Sequence, residues 1–242
     1  MSDKPAASDL DEIEVVAPDG DVILVTDKLC GTDLGHKFRV SSHVLSTASP
    51  VFKAMFGPHF REGHQLRNST EPLEILLPED DTRGVRLMCQ MLHSWQRGYD
   101  VHDEDAIIRL RLTAVLLRKY QALGSLNWQM SGFLHHWLHK HREQDSIDMV
   151  IEAVAVAYLI SDESGFQRAT AHLINECVDG VTELVNDPTI DIIPVRVLLI
   201  LEARRAFVQQ RATKGKEDAG LCLQCCNDGE QGVSGACEGH DE

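Results

Sequence analysis

The run FRVSSHVLSTASPVFKAMF, residues 38–56, contains a serine–proline step that a single helix cannot cross. The ring of Pro50 removes a backbone donor and collides with the carbonyl one turn earlier. Yet Val44, Leu45, Ala48, Phe52, Met55 and Phe56 recur at three- and four-residue steps on both sides of the break, the period of an amphipathic helix. Two short helices meeting at a corner satisfy both facts. Ser49 is a favoured N-cap and Pro50 a favoured first helical residue, so Ser49 reads as a cap and not as a nucleophile.

The flanks place this corner beside a sheet. Upstream, the turn Pro18-Asp19-Gly20 leads into Asp21–Thr26, a β-rich run too short for a helix, and after a glycine-containing loop Phe38 and Val40 alternate with polar neighbours. Downstream, residues 57–72 (GPHFREGHQLRNSTEP) are polar and without period, which predicts a loop; Leu73–Leu77 then predict a third strand ended by Pro78. Val85, Met88, Leu92 and Trp95 mark the buried stripe of a helix that Gly98 would end. A second helical block follows: Ile107, Leu110, Ala114 and Leu117 on one face, residues 125–140 around Trp128, Phe133 and Trp137, then Ile147, Val150, Ile151, Val154 and Tyr158 behind a cap at Asp145 or Ser146. Phe166–Cys177 and, started by Pro194, Val195 to about Gln210 complete it. Arg204, Arg205, Arg211, Lys214 and Lys216 gather at the end of the last helix, where cations favour its dipole.

The whole chain has 242 residues, enough for a domain and an appended one with real cores. It carries 23 basic and 38 acidic side chains, a net charge of −15. Such an excess repels phosphate backbones and anionic lipid, so neither nucleic acid nor a membrane is expected as the main partner. The start, MSDKPAASDLDEIEV, is acidic with no apolar core segment, and no run approaches the length of a bilayer span. Together these predict an intracellular protein of the cytoplasm, the nucleus or both. Of the seven cysteines, Cys30, Cys89 and Cys177 stand alone in apolar surroundings and read as buried thiols.

Strands first, then a tight helix pair, a third strand and further helices is the order of a BTB/POZ domain. Gly20-Asp21-Val22-Ile23-Leu24-Val25 resembles that family's first strand, and Phe38-Arg39-Val40 followed by Val44-Leu45, Ser49, Phe52 and Met55-Phe56 resembles its hallmark helical hairpin. Leu73, Ile75, Leu77 and Pro78 resemble its next strand, and Thr113–Tyr120 the helix that closes the domain. Ser41-Ser42-His43 and Val156-Ala157-Tyr158-Leu159 resemble the short stand-alone members common in filamentous fungi. The resemblance implies a non-catalytic protein-interaction module, frequently self-associating and often a substrate adaptor of a cullin-type ubiquitin ligase. Such adaptors carry a hydrophobic-any-Glu motif just after the helix pair, and Phe60-Arg61-Glu62 stands at the matching place. In many animal members a His followed by Lys or Arg occupies the positions of Ser41 and Ser42, its charge paired with an acid aligned near Asp21. Ser42 cannot supply that charge, so the resemblance does not extend to a repressor-type charged groove.

The remaining candidates for chemistry are weaker. Gly31–Lys37 is one residue short of a phosphate-binding loop and has no Ser or Thr after its lysine. His135, His136, His139 and His141 crowd one segment, with 135 and 139 on one helix face, but no carboxylate or thiol at matching spacing completes a metal shell. Cys222, Cys225, Cys237 and His240 offer three thiolates and an imidazole, a tetrahedral zinc set. The flexible NDGEQGVSGA between the half-sites favours instead a disordered, redox-sensitive tail. The acids Glu79-Asp80-Asp81 and Asp103-Glu104-Asp105 sit at helix starts, where the dipole explains them. No Ser/His/Asp or Cys/His arrangement can be assembled, so an enzyme is not expected.

The sequence therefore predicts an α+β protein. A flexible acidic N-terminus (1–17) precedes a BTB/POZ domain (18–123) with a small three-stranded sheet flanked by helical hairpins; a helical extension (124–211) and a disordered Cys-rich tail (212–242) follow. Partner binding is expected at Met55, Phe56, Phe60, Arg61 and Glu62, with a cullin and a homodimer as the expected partners. The alternative is a self-associating scaffold or transcription-linked protein that does not bind cullin.

Overall fold

The computed structural model describes residues 13–26, 36–94, 105–141, 147–175, 190–210, 221 and 223–228. They belong to two compact units, one drawn from residues 1–99 and 112–127, the other from 100–111 and 128–242.

The first unit holds a sheet of four strands, β1 (Ile13–Val15), β2 (Val22–Thr26), β3 (Lys37–Val40) and β4 (Leu73–Leu77), in the order β1-β3-β2-β4. β2 and β3 pair antiparallel, with Leu24 opposite Phe38; β4 lies parallel to β2 and β1 parallel to β3. Alternation fixes which face is inner: Val22, Leu24, Phe38, Val40, Ile75 and Leu77 are buried. Three strands are those the sequence predicts. The fourth, β1, comes from residues expected to be flexible, and Arg86 and Gln90 of α4 (Thr82–Leu92) hold it by hydrogen bonds to the Glu14 carboxylate at 2.7 and 3.2 Å.

The serine–proline corner forms as predicted. α1 (Ser42–Ala48) ends and α2 (Pro50–Met55) begins at Ser49, which is the C-cap of one and the N-cap of the other. Its hydroxyl accepts the amide of Phe52 at 3.1 Å and donates to the carbonyl of Tyr120 at 2.5 Å, so one side chain closes a helix end and ties the corner to the end of α5 (Ala106–Lys119). Phe52 stacks on Tyr120 with ring centroids 4.4 Å apart. The Tyr120 hydroxyl and Lys119 both donate to Asp80, which is buried. Asp80 thus cross-links elements, while Asp81 beside it is the N-cap of α4. Burial opposes ionisation of Asp81, but hydrogen bonds from the side chain and backbone of Arg83 outweigh it and hold the carboxyl below its ordinary value.

Residues 61–68, expected to be loop, form α3 (Arg61–Asn68). The helix is possible because of Gly63: a Cβ there would lie 1.9 Å from the carbonyl oxygen of Gly57 and 2.6 Å from that of Phe56. Only glycine permits that approach of α3 to the end of α2.

The second unit is helical. α7 (Ile147–Ile160) is buried along almost its whole length, and α8 (Glu163–Asn175) packs on it through Phe166, Ala169 and Leu173. α6 (Leu123–Lys140) and α9 (Val195–Gln210), the latter preceded by a 3-10 turn at Ile190–Ile192, occupy the predicted spans. Two expectations change. Arg204 and Arg205 are buried within α9, not displayed at its end. Leu223–Asp228, placed by sequence in a loose tail, form α10, packed on α8 with Leu221, Leu223, Cys225 and Cys226 buried. The amide of Leu221 donates to Thr170 Oγ1 at 2.9 Å, which anchors this return. Trp95, Gly98, Asp145, Ser146, Cys177, Arg211, Lys214 and Lys216 lie outside the described residues.

Candidate functional site

Phe60 is the N-cap of α3, in an extended conformation (φ −109°, ψ 150°). Its ring is half exposed, at 50%. A phenylalanine side chain can make no capping hydrogen bond, so the ring does not close the helix end. Arg61 is exposed and Glu62 partly so, in the first turn where a carboxylate favours the dipole. The predicted trio therefore sits on one short helix end: an apolar ring, a cation and an anion in three consecutive residues.

The support beneath is rigid. Phe56 is buried at 8% and stacks on Phe52 with centroids 5.9 Å apart, and Phe52 stacks on Tyr120. Arg67 Nη1 reaches the Phe56 carbonyl at 3.5 Å. Of the five predicted partner-binding residues, Phe60, Arg61, Glu62 and half-buried Met55 reach the surface, whereas Phe56 is part of the floor.

At the position where the sequence lacks a basic residue, Ser42 acts differently. Its amide and hydroxyl both donate to the Asp21 carboxylate, at 2.7 and 2.6 Å. Neutral donors at the start of α1 take the place a side-chain cation would fill.

Two histidines are committed to structural roles. His93 at the end of α4 donates from Nδ1 to the Cys89 carbonyl at 2.8 Å, while its Nε2 accepts the Ser41 amide at 3.0 Å. This requires the neutral ring, and burial pushes its pKa below the ordinary value against the pull of the Cys89 carbonyl. In the second unit, His135 Nε2 meets both Asp162 Oδ2 and Ser164 Oγ at 3.1 Å, and its Nδ1 accepts from Arg168 at 2.8 Å. A proton relay needs acid and hydroxyl on opposite ring nitrogens; here both face the same one. Asp162 also receives Ser131 Oγ at 2.5 Å and the Gly165 amide at 2.8 Å. Burial acts to raise its pKa, yet these donors and the imidazole outweigh it and hold the carboxyl below its usual value.

Among the described residues no three His, Cys, Asp or Glu side chains are grouped to hold a metal. Cys225 of the predicted zinc set is buried in α10; Cys222, Cys237 and His240 lie outside the described residues, as do Gly31 and Gly35. No helix among the described residues is long and apolar enough to cross a membrane.

One feature escaped the sequence reading. Trp128 and Trp137 lie on the same helix, but Trp137 is buried at 2% and Trp128 is 91% exposed. Nine positions apart, they lie on opposite sides of the helix, and period alone does not say which side is inner, because α6 carries apolar residues around much of its circumference.

Comparison with family models matches residues 19–94 to the BTB/POZ domain. No curated protein matches the chain.

Proposed function

Because residues 19–94 are a BTB/POZ domain, a protein–protein interaction module, we propose that this chain is a substrate adaptor of a cullin-type ubiquitin ligase. The observation that carries the reading is Phe60: an exposed ring held at the start of α3, with the Glu62 carboxylate two positions on in the first turn. An apolar anchor fills a partner's pocket, and a nearby charge sets its orientation. Met55 extends the apolar surface towards α2, and Gly63 keeps the anchor in place by seating α3. In this reading the domain's work is binding, with no bond made or broken.

Co-elution of the full chain with a cullin N-terminal domain tests it. The wild type is expected to co-elute, and the double variant Phe60→Ala, Glu62→Ala to lose the partner while keeping its melting temperature, since neither side chain is buried. A wild-type chain that elutes alone overturns the adaptor reading.

A second reading, a self-associating scaffold that leaves cullin alone, draws on the sheet. Ile13 and Val15 on edge strand β1, and Leu76 on the opposite edge at 72%, are exposed apolar side chains on the outer face. Sedimentation of the chain at micromolar concentration separates the two, because a monomer removes the scaffold reading.

A further inference from the structure

The exposed indole of Trp128 has no task within the fold. One turn on, position 132 is glycine, and a Cβ placed there would find no heavy atom within 4 Å. Alanine would fit and would favour the helix by about 1 kcal/mol, so intramolecular packing does not account for the glycine. The pair leaves a bare step of backbone beside a large, fully hydrated ring.

The charge of this face runs against that of the chain. The protein's net charge is −15, yet α6 contains no Asp or Glu between Leu123 and Lys140. His135 and His139 follow Trp128 seven and eleven positions on, which returns them to the same side of the helix. Arg168 joins from α8 through its bond to His135. Among the described residues the carboxylates nearby are Asp162, already engaged by Ser131, Ser164, Gly165 and His135, and the exposed Glu163 at the start of α8. A tryptophan with an arginine further along the same face has the residue types enriched at binding hot spots.

We propose that this α6–α8 face docks an acidic protein segment whose apolar side chain packs on Trp128 over Gly132 while its carboxylates meet Arg168. The proposal rests on the protein-binding reading above and gives it a cargo class. A nucleic acid would also bring stacking groups and negative charge, but it presents a continuous line of phosphates that calls for a basic stripe, whereas the cation invoked on this face is the one guanidinium of Arg168.

Panning a library of random peptides against the immobilised full chain tests this. Enriched peptides are expected to surround an aromatic or aliphatic residue with Asp and Glu, and to bind the chain in fluorescence anisotropy with an affinity that falls as salt rises. Trp128→Ala is expected to weaken them about tenfold or more, and Arg168→Gln to weaken them and flatten the salt dependence. The Phe60→Ala, Glu62→Ala variant should bind them as the wild type does. No acidic enrichment, equal binding by Trp128→Ala, or displacement of the peptides by single-stranded RNA would overturn the proposal. Failure of cullin co-elution with peptide binding intact would remove the adaptor reading alone; the converse result would remove only this one.

Discussion

Ser49 and His93 each use a single polar side chain to join two helix ends, and each depends on a specific hydrogen-bonding state. For Ser49 that state is fixed at any ordinary pH, because a hydroxyl donates and accepts at once. For His93 it is not. Its Nε2 accepts the Ser41 amide only while the ring is neutral, and burial keeps the folded pKa below the free value of 6.5. As pH falls the unfolded chain takes up the proton first, so the stability His93 contributes above pH 6.5 is lost as pH drops towards the folded pKa. Urea unfolding measured across this range should show that loss. His93→Gln, whose amide can donate to Cys89 and accept from Ser41, should remove the part of the slope that belongs to this residue. A variant with an unchanged slope would show that the ring is not holding the two ends. The corner residue was legible in the sequence because proline restricts backbone geometry everywhere; the role of His93 was not, because its partners lie 4 and 52 residues away and only the fold brings them together.

At the scale of elements, whatever had a period was legible. β2, β3, β4, the paired helices and the main helices of the second unit stood where apolar spacing placed them. What the sequence hid were short pieces held by contacts with distant chain. β1 offers only three residues, and its reason for existing is the pairing with β3 and the grip of Arg86 and Gln90 on Glu14. α10 lies in a polar, glycine-rich stretch and is fixed by burial against α8. α3 reads as loop because it has little apolar face; its determinant is the close approach at Gly63. Gly63→Ala should therefore cost about 1–3 kcal/mol through overpacking and displace α3, so that binding through Phe60 falls even though the binding side chains are untouched. Chemical denaturation and the co-elution assay together check this. Tight cullin binding by a destabilised Gly63→Ala variant would separate α3 from the docking role.

At the scale of the whole molecule, the segment the family model matches, 19–94, is shorter than the unit that folds around it. Leu116, Leu117 and Tyr120 lie beyond residue 94 and are buried in the first unit, and Ser49, Phe52 and Asp80 all contact Tyr120. A fragment of residues 1–94 is thus expected to lack a cooperative unfolding transition in circular dichroism, because it keeps one side of each of these contacts and leaves the Asp80 carboxylate without Tyr120 and Lys119 and the Ser49 hydroxyl without its acceptor. A sharp transition for that fragment would show that the closing helix is dispensable. The resemblance pointed to this extent, since it included Thr113–Tyr120, but the division of α5 between the two units is a matter of packing that no local pattern carries.

Phe60 occupies a position where almost any small polar residue would serve α3 better. A serine or aspartate there would close the helix with a bond the ring cannot make, and selection for heat resistance alone would be drawn to that exchange. A laboratory lineage evolved for robustness would thus be apt to grow sturdier at this corner and deaf to its partner.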